Sequence, residues 1–406
     1  MIAPESTNRG SFRRWCGLAA AVGAIAIAAS YLVGRSEWTP FLQCYLIGWL
    51  FVWGLGMGSL ALVMVHHLTG GVWGLALRRI LEAQMLTLPL SGLLFIPIAL
   101  AAPQIYPWPV EVEGGASSYD FRDRYFEAQF VYGRAISFFV LWIGLAWLLR
   151  WLSRQQDRGR GVVVEWKCQS LSGPGLLIYG VTLHFAVIDW MMSLDLPFTS
   201  TIYGPIVAES QLLSALACAI VVYAFVSQRS ELTASLSRNV LNDIGNLMLT
   251  LVLVWAYLIW CQAMLIWMAD LKRDNSWWLL RTTDPWRWIS AIGAVFGLAV
   301  PLVLLLFRAL KQQTTSLARI AGLVLAIQVI FLGYQMLPRN AAGLGYWALA
   351  LPLVFVGLCA IWLAFFLWHL SNLSLTPVVD RNWSHARHLQ ELEREEIARE
   401  EALAHG

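Results

Sequence analysis

Apolar residues run along this chain in long blocks, with no sustained alternation. Ten blocks are long enough to cross a bilayer as helices, at roughly 15–33, 41–65, 83–102, 129–151, 174–194, 206–226, 244–268, 288–307, 319–337 and 346–370. Hydrocarbon offers no partner to a backbone N–H or C=O, so each block must close its own hydrogen bonds. The expected fold class is therefore an all-α polytopic membrane protein. The first block follows Arg9, Arg13 and Arg14, as the core of a signal peptide would. Its Ala-rich body runs to Val33, long for that role, and a retained span is expected.

The spacing of the blocks suggests five parts. An N-terminal segment with the first span covers 1–40, a four-helix bundle of spans two to five covers 41–200, and a second bundle of spans six to nine covers 201–340. A last span covers 341–375 and a charged tail 376–406. Span two carries Gly54 and Gly58, one helical turn apart, a step that lets a neighbouring helix approach closely. Span three contains Pro89 and Pro97 and should be kinked. The tail has Glu and Arg at i,i+4 spacing (LEREEIARE), as a surface helix or partner contact would.

Composition excludes an ordinary soluble domain: 58% of the 406 residues are hydrophobic, only 13% are charged, and 22 are tryptophan. A net charge of +3 gives no footing for nucleic acid, and the expected surroundings are the lipid bilayer. The placement of basic residues carries more information. Nineteen of the 28 Lys and Arg fall in the termini and in loops that follow even-numbered spans, eight fall in the opposite loops, and Arg134 lies inside span four. That bias puts both termini in the cytoplasm. The outer loop 103–128 is rich in acids, Glu111, Glu113, Asp120, Asp123 and Glu127. Six scattered cysteines form no C-x-x-C and no C-x-x-C-H, and no two histidines sit at matching depth on facing spans. Neither an iron–sulfur cluster, a haem nor another metal is expected in this chain, and no residue is assigned a catalytic role.

Candidate chemistry lies where polar groups interrupt the spans. The stretch His66–Glu82 (HHLTGGVWGLALRRILE) places two histidines, a Gly-Gly break, Arg78, Arg79 and Glu82 between spans two and three. Arg78 and Glu82 can pair across one helical turn. His66 and His67 read either as an interfacial turn or as the mouth of a proton path, since imidazole titrates near neutrality. Span five carries His184 near mid-membrane, Asp189 in its outer third and Asp195 at its outer edge. His184, Met191 and Asp195 share a stripe from which Asp189 points away. Arg134 on span four and Asp189 on span five lie at similar depth and should pair. Span seven opens on Asn242, Asp243 and Asn246, which suit a helix cap or a second hydrated path, and carries Gln262 deeper. Tyr106 and Trp108, with Arg134 and Asp189, form an aromatic outer region that could take a quinone headgroup.

HHLTGGVWG…RRILEA, DWMMSLDLPFTSTIYG and LNDIGNL…WAYLIWCQAMLIW together resemble the F subunit of alternative complex III, a bacterial quinol:cytochrome c oxidoreductase, within the polysulfide-reductase-type (NrfD-like) membrane proteins. The likeness runs from about residue 41 to 370. KRDNSWW (272–278), YFEAQF (125–130) and WCQ (260–262) depart from the family's usual pattern. The resemblance implies two four-helix bundles with flanking helices and a bacterial inner-membrane location. It also implies a subunit without cofactors of its own, assembled with iron–sulfur, cytochrome c and other membrane subunits that handle quinol, iron–sulfur clusters and haem c. Such a subunit supports assembly and conducts protons, here through His66, His67, Glu82, Arg134, His184, Asp189, Asp195 and Asp243. The alternatives are a quinol-binding subunit of the same family and an independent secondary transporter. Transporters favour broken helices at mid-membrane, whereas the Gly-Gly break here is at the edge.

Overall fold

The structure is a computed structural model and describes residues 6–34, 38–108, 124–157, 161–195, 198–227, 237–337 and 344–373. The described residues are helical without strands, and ten helices are long and apolar enough to cross a membrane. The chain is an all-α polytopic membrane protein. The acids 111, 113, 120 and 123 of the outer loop and the tail 376–406 lie outside the described residues.

Span one is α1 (Ser6–Gly34) and span two is α2 (Trp38–Thr69). Span three is split into α3 (Val72–Met85) and α4 (Leu88–Leu100), followed by a single turn, α5 (Ala102–Ile105). Spans four to seven are α6 (Ala128–Asp157), α7 (Gly161–Trp190), α8 (Tyr203–Ser227) and α9 (Arg238–Ala269). A short helix, α10 (Lys272–Thr282), leads to span eight, in which α11 (Trp286–Ile292) and α12 (Val300–Leu306) flank a π-helical stretch, Gly293–Ala299. One further turn, α13 (Arg308–Lys311), precedes α14 (Thr314–Met336), and α15 (Leu344–Ser371) is the tenth span.

The kink expected in span three falls at Leu86–Thr87, just before Pro89. Pro89 occupies the first turn of α4, where a missing N–H costs nothing. The break is used as a bonding site. Thr87 Oγ1 donates to the Gln84 carbonyl at 2.6 Å and accepts from Trp362 Nε1 of α15 at 3.0 Å. The Gly-Gly break is the turn between α2 and α3: Gly70 and Gly71 have φ of 69° and 95°, a region costly for any residue with a Cβ.

α2 is the axis of the molecule. Its membrane-crossing stretch is 94% buried, against 17% for spans one and eight. It packs on α8, α15, α3, α7 and α4, and α1 lies along α15. α8 also contacts α9 and α14, and span eight sits between α9 and α14. Stacked indoles fill the first bundle: Trp49 and Trp53 lie 5.5 Å apart and nearly parallel, with Trp190 edge-on to both at 5.2 Å. Trp49 Nε1 donates to the Ser91 carbonyl at 2.8 Å and Trp142 Nε1 to Thr182 Oγ1 at 2.8 Å.

The α2–α8 seam depends on the glycine step. A Cβ on Gly58 would lie 2.1 Å from the Gln211 carbonyl oxygen, so the two backbones touch there. Gly133 on α6 has open space around the corresponding position. Gly58→Ala should therefore destabilise the protein by about 1–3 kcal/mol, read as a lower thermal midpoint in detergent, while Gly133→Ala leaves the midpoint unchanged or slightly raised. Equal midpoints for the two variants would show that the seam does not hold the bundles together.

Candidate functional site: two buried charge clusters

One cluster lies at the end of the bundle that carries most of the basic residues. Three guanidinium groups converge on the carboxylate of Glu82, which is 1% exposed. Arg78 Nε donates to Oε1 and Arg79 Nη1 and Arg150 Nη1 donate to Oε2, each at 2.9 Å. Ser153 Oγ adds a fourth bond to Oε1 at 2.7 Å. Arg78 also reaches Gln156 Oε1 at 2.8 Å, and Arg79 reaches both Ser153 Oγ at 2.8 Å and the Asp157 carboxylate. The helical register explains the convergence: Arg78, Arg79 and Glu82 share a face of α3, and Arg150, Ser153, Gln156 and Asp157 recur every three or four residues on α6. Placed against water, this network would contribute little. Inside a low-dielectric body it fixes α3 against α6.

The Arg78–Glu82 pair agrees with the sequence reading, but its setting differs. Arg78 and Arg79 are buried helix residues bonded to acids as well as markers of the basic end. The expected interfacial histidines are buried too, at 5% exposed for His66 and 9% for His67. The two rings lie 5.9 Å apart, the His66 ring is edge-on to Trp73 at 5.3 Å, and Nε2 of His67 has no hydrogen-bond partner among the described residues.

The second cluster lies at the opposite end. Arg134 grips Asp189 with two parallel bonds, Nε to Oδ2 and Nη2 to Oδ1, both 3.0 Å. Nη2 also donates to the Tyr125 carbonyl at 3.0 Å, and the guanidinium stacks 3.9 Å from the Tyr125 ring centre. This is the pairing expected from counting helical rise along spans four and five. Burial, and after it the Asp189 charge, pushes the phenols of Tyr106 and Tyr125 above their ordinary range. Tyr106 donates to the Trp190 carbonyl at 3.2 Å, and Trp108 stacks between Tyr106 and Phe126. The Tyr106 hydroxyl and the Arg134 guanidinium are thus committed to protein partners in the region considered for a quinone headgroup.

The remaining candidates stand apart. The half-buried His184 ring rests against α8, where a Cβ on Gly204 would fall 2.2 Å from its Nδ1, while Asp189 turns to α6. His184 and the Arg134–Asp189 pair therefore belong to different helix contacts. Asp195 closes the short turn Met192–Leu194, its amide bonded to the Met192 carbonyl at 3.1 Å. Asp243 is exposed. The cap of α9 is Ser237, whose Oγ accepts from Val240 N at 3.3 Å, in place of the expected Asn242, Asp243 and Asn246. Asn246 Oδ1 accepts from Lys311 Nζ at 2.5 Å, and Asn239 Oδ1 from Arg308 at 3.1 Å. Deeper in α9, Gln262 Oε1 accepts from Ser200 Oγ at 2.5 Å.

Several buried polar groups escaped the sequence reading. In the sequence Arg150 is one of the basic residues counted at the end of span four, with nothing to mark it as a partner of Glu82. Glu209 on α8 is 8% exposed and its Oε1 has no hydrogen-bond partner among the described residues. It meets the same criterion that singled out His184 and Asp189, an ionisable residue within an apolar run. Arg281 on α10 is 5% exposed. It is held by the carbonyls of Trp277 at 2.8 Å, Gln335 at 2.7 Å and Tyr334 at 3.2 Å, and by the face of the Trp277 ring. Burial lowers its pKa to about 10, which leaves it charged at neutral pH.

Two measurements test these clusters. Glu82→Gln leaves three guanidinium groups facing one remaining acid and should cost about 3–5 kcal/mol of stability, seen by denaturant titration in detergent. A loss within experimental error of zero would mean that the arginines are hydrated. For Arg134 and Asp189, a double-mutant cycle with Arg134→Met and Asp189→Asn should give a coupling of about 0.5–3 kcal/mol, and strict additivity would deny the pair. Neither the comparison with protein-family models nor the comparison with curated proteins finds a match to this chain.

Proposed function

We propose that this chain is an integral, cofactor-free membrane subunit of a quinol:cytochrome c oxidoreductase of the alternative complex III type. It sits in a bacterial inner membrane with both termini cytoplasmic. Quinol, iron–sulfur clusters and haem c belong to partner subunits, and this chain supports their assembly and carries protons coupled to quinol oxidation. The observation that carries the reading is where the motif residues fall. RRILEA supplies Arg78, Arg79 and Glu82, and DWMMSLDLPFTSTIYG opens on Asp189. The segments that resemble the family are therefore the ones that build both buried ion clusters, each closed by an arginine of span four, Arg150 or Arg134. Ionisable groups at that depth are costly unless used or paired, and they mark the two ends of a proton-conducting body.

The test is affinity purification of the tagged chain from its native membrane under mild detergent. Iron–sulfur and c-haem subunits should co-elute, and the eluate should reduce cytochrome c with quinol. Recovery as a single chain without haem, with solute flux after reconstitution, would favour the transporter instead. Within the complex, His184→Ala should keep quinol turnover and lose proton coupling. Unchanged coupling would remove His184 from the path.

A further inference from the structure

The contact between the two bundles is not uniformly packed. Between α2, α8 and α14 lies a partly enclosed cavity of about 40 Å³ whose walls are mostly apolar, Leu50, Phe51, Val207 and Phe331 among them, with polar groups brought in by Trp53, Ser210, Gln211, Ser214, Gln328 and Gln335. A second cavity of about 20 Å³ lies toward the Arg134–Asp189 end, bordered by Asp195, Tyr203 and Arg281. The two share Met191 and Gln335 as walls, so they are neighbours along the seam. Ser214 is eleven residues beyond Tyr203 on α8. At ~1.5 Å per residue the two reach about 16 Å down the helix, near the middle of the membrane.

The walls hold polar atoms without protein partners. Gln211 Oε1, Gln335 Oε1 and Trp53 Nε1 are buried and make no hydrogen bond with any described residue. Gln211 and Gln335 are each 6% exposed. An unsatisfied buried amide or indole costs about 1–3 kcal/mol, and here three of them border one space. A site with several polar partners and room for more than one water centre, each needing about 10–15 Å³, is one that water fills. The larger cavity has room for about three waters and the smaller for about one. Neither admits a quinone headgroup or an ion with its hydration shell.

We propose that this seam is a water-binding site, an internal file of a few ordered waters leading from Asp195 and Arg281 to the middle of the membrane. The waters donate to Gln211 Oε1 and Gln335 Oε1 and accept from Trp53 Nε1. Ser210 and Ser214 already donate, to Gln328 Oε1 at 2.5 Å and to the Ser210 carbonyl at 2.7 Å, and present their lone pairs to the file. The site is distinct from the Arg134–Asp189 pair, which faces α6, and it holds whether or not the chain assembles with redox subunits.

Hydroxyl-radical footprinting of the full chain in lipid nanodiscs tests this, because X-ray radiolysis of bound water oxidises the side chains beside it. Met191 borders both cavities and is 4% exposed, while Met57 and Met64 are 0% exposed and border neither. The three thioethers have the same intrinsic reactivity. Met191 should be oxidised several-fold faster than Met57 and Met64, and equal rates would overturn the proposal. Gln211→Leu, which removes one anchor of the file, should slow oxidation of Met191 and leave Met57 as it was. Undiminished labelling of Met191 in that variant would place the water elsewhere and equally overturn the assignment.

Discussion

Hydrocarbon offers a charge no partner, and the rest of this structure follows from that constraint. Each deeply buried acid or guanidinium in the two clusters is answered by a group on another helix, so pairing the charges and docking the helices are one event. Glu82 cannot be satisfied by α3 alone: its two arginines on the same helix leave excess positive charge that Asp157 of α6 offsets, and Arg150 and Ser153 of α6 complete its coordination. Arg134 and Asp189 do the same for α6 and α7. Span four thus receives an ionic anchor at each end, and the bundle of spans two to five is fixed by charge at its ends and by stacked indoles between them.

The join between the bundles uses a different force. Lipid is as apolar as a leucine side chain, so no hydrophobic drive pushes α2 onto α8, and close backbone contact must supply the attraction. Gly58 permits that contact. Beside it the apolar wall is interrupted by the serines of α8 and the glutamines of α8 and α14. These uncharged groups can hold water at mid-membrane without exposing charge to lipid.

The ends of the first bundle are locked by ion pairs, and His184, half-buried against α8, stands between them in depth but outside both clusters. Asp189, by contrast, is committed to Arg134 by two bonds. In the function we propose, the ion pairs hold the helices in place and His184 is a proton-path residue that stands outside them.

The number of spans, their approximate limits, the break after His67, the kink before Pro89 and the Arg134–Asp189 pair were all legible in the sequence. They depend on block length, on the backbone demands of glycine and proline, and on counting helical rise between neighbouring spans. The Gly54–Gly58 step announced a close approach but could not name α8 as the helix that makes it. The coordination of Glu82 by Arg150, the buried setting of Arg281 and the seam between α2, α8 and α14 were decided only by the tertiary structure. Each depends on which helix faces which, and at what rotation. That rotation is invisible in blocks that are apolar on every side, because lipid-facing and protein-facing residues have the same composition. It appears only when helices from distant parts of the chain are set side by side.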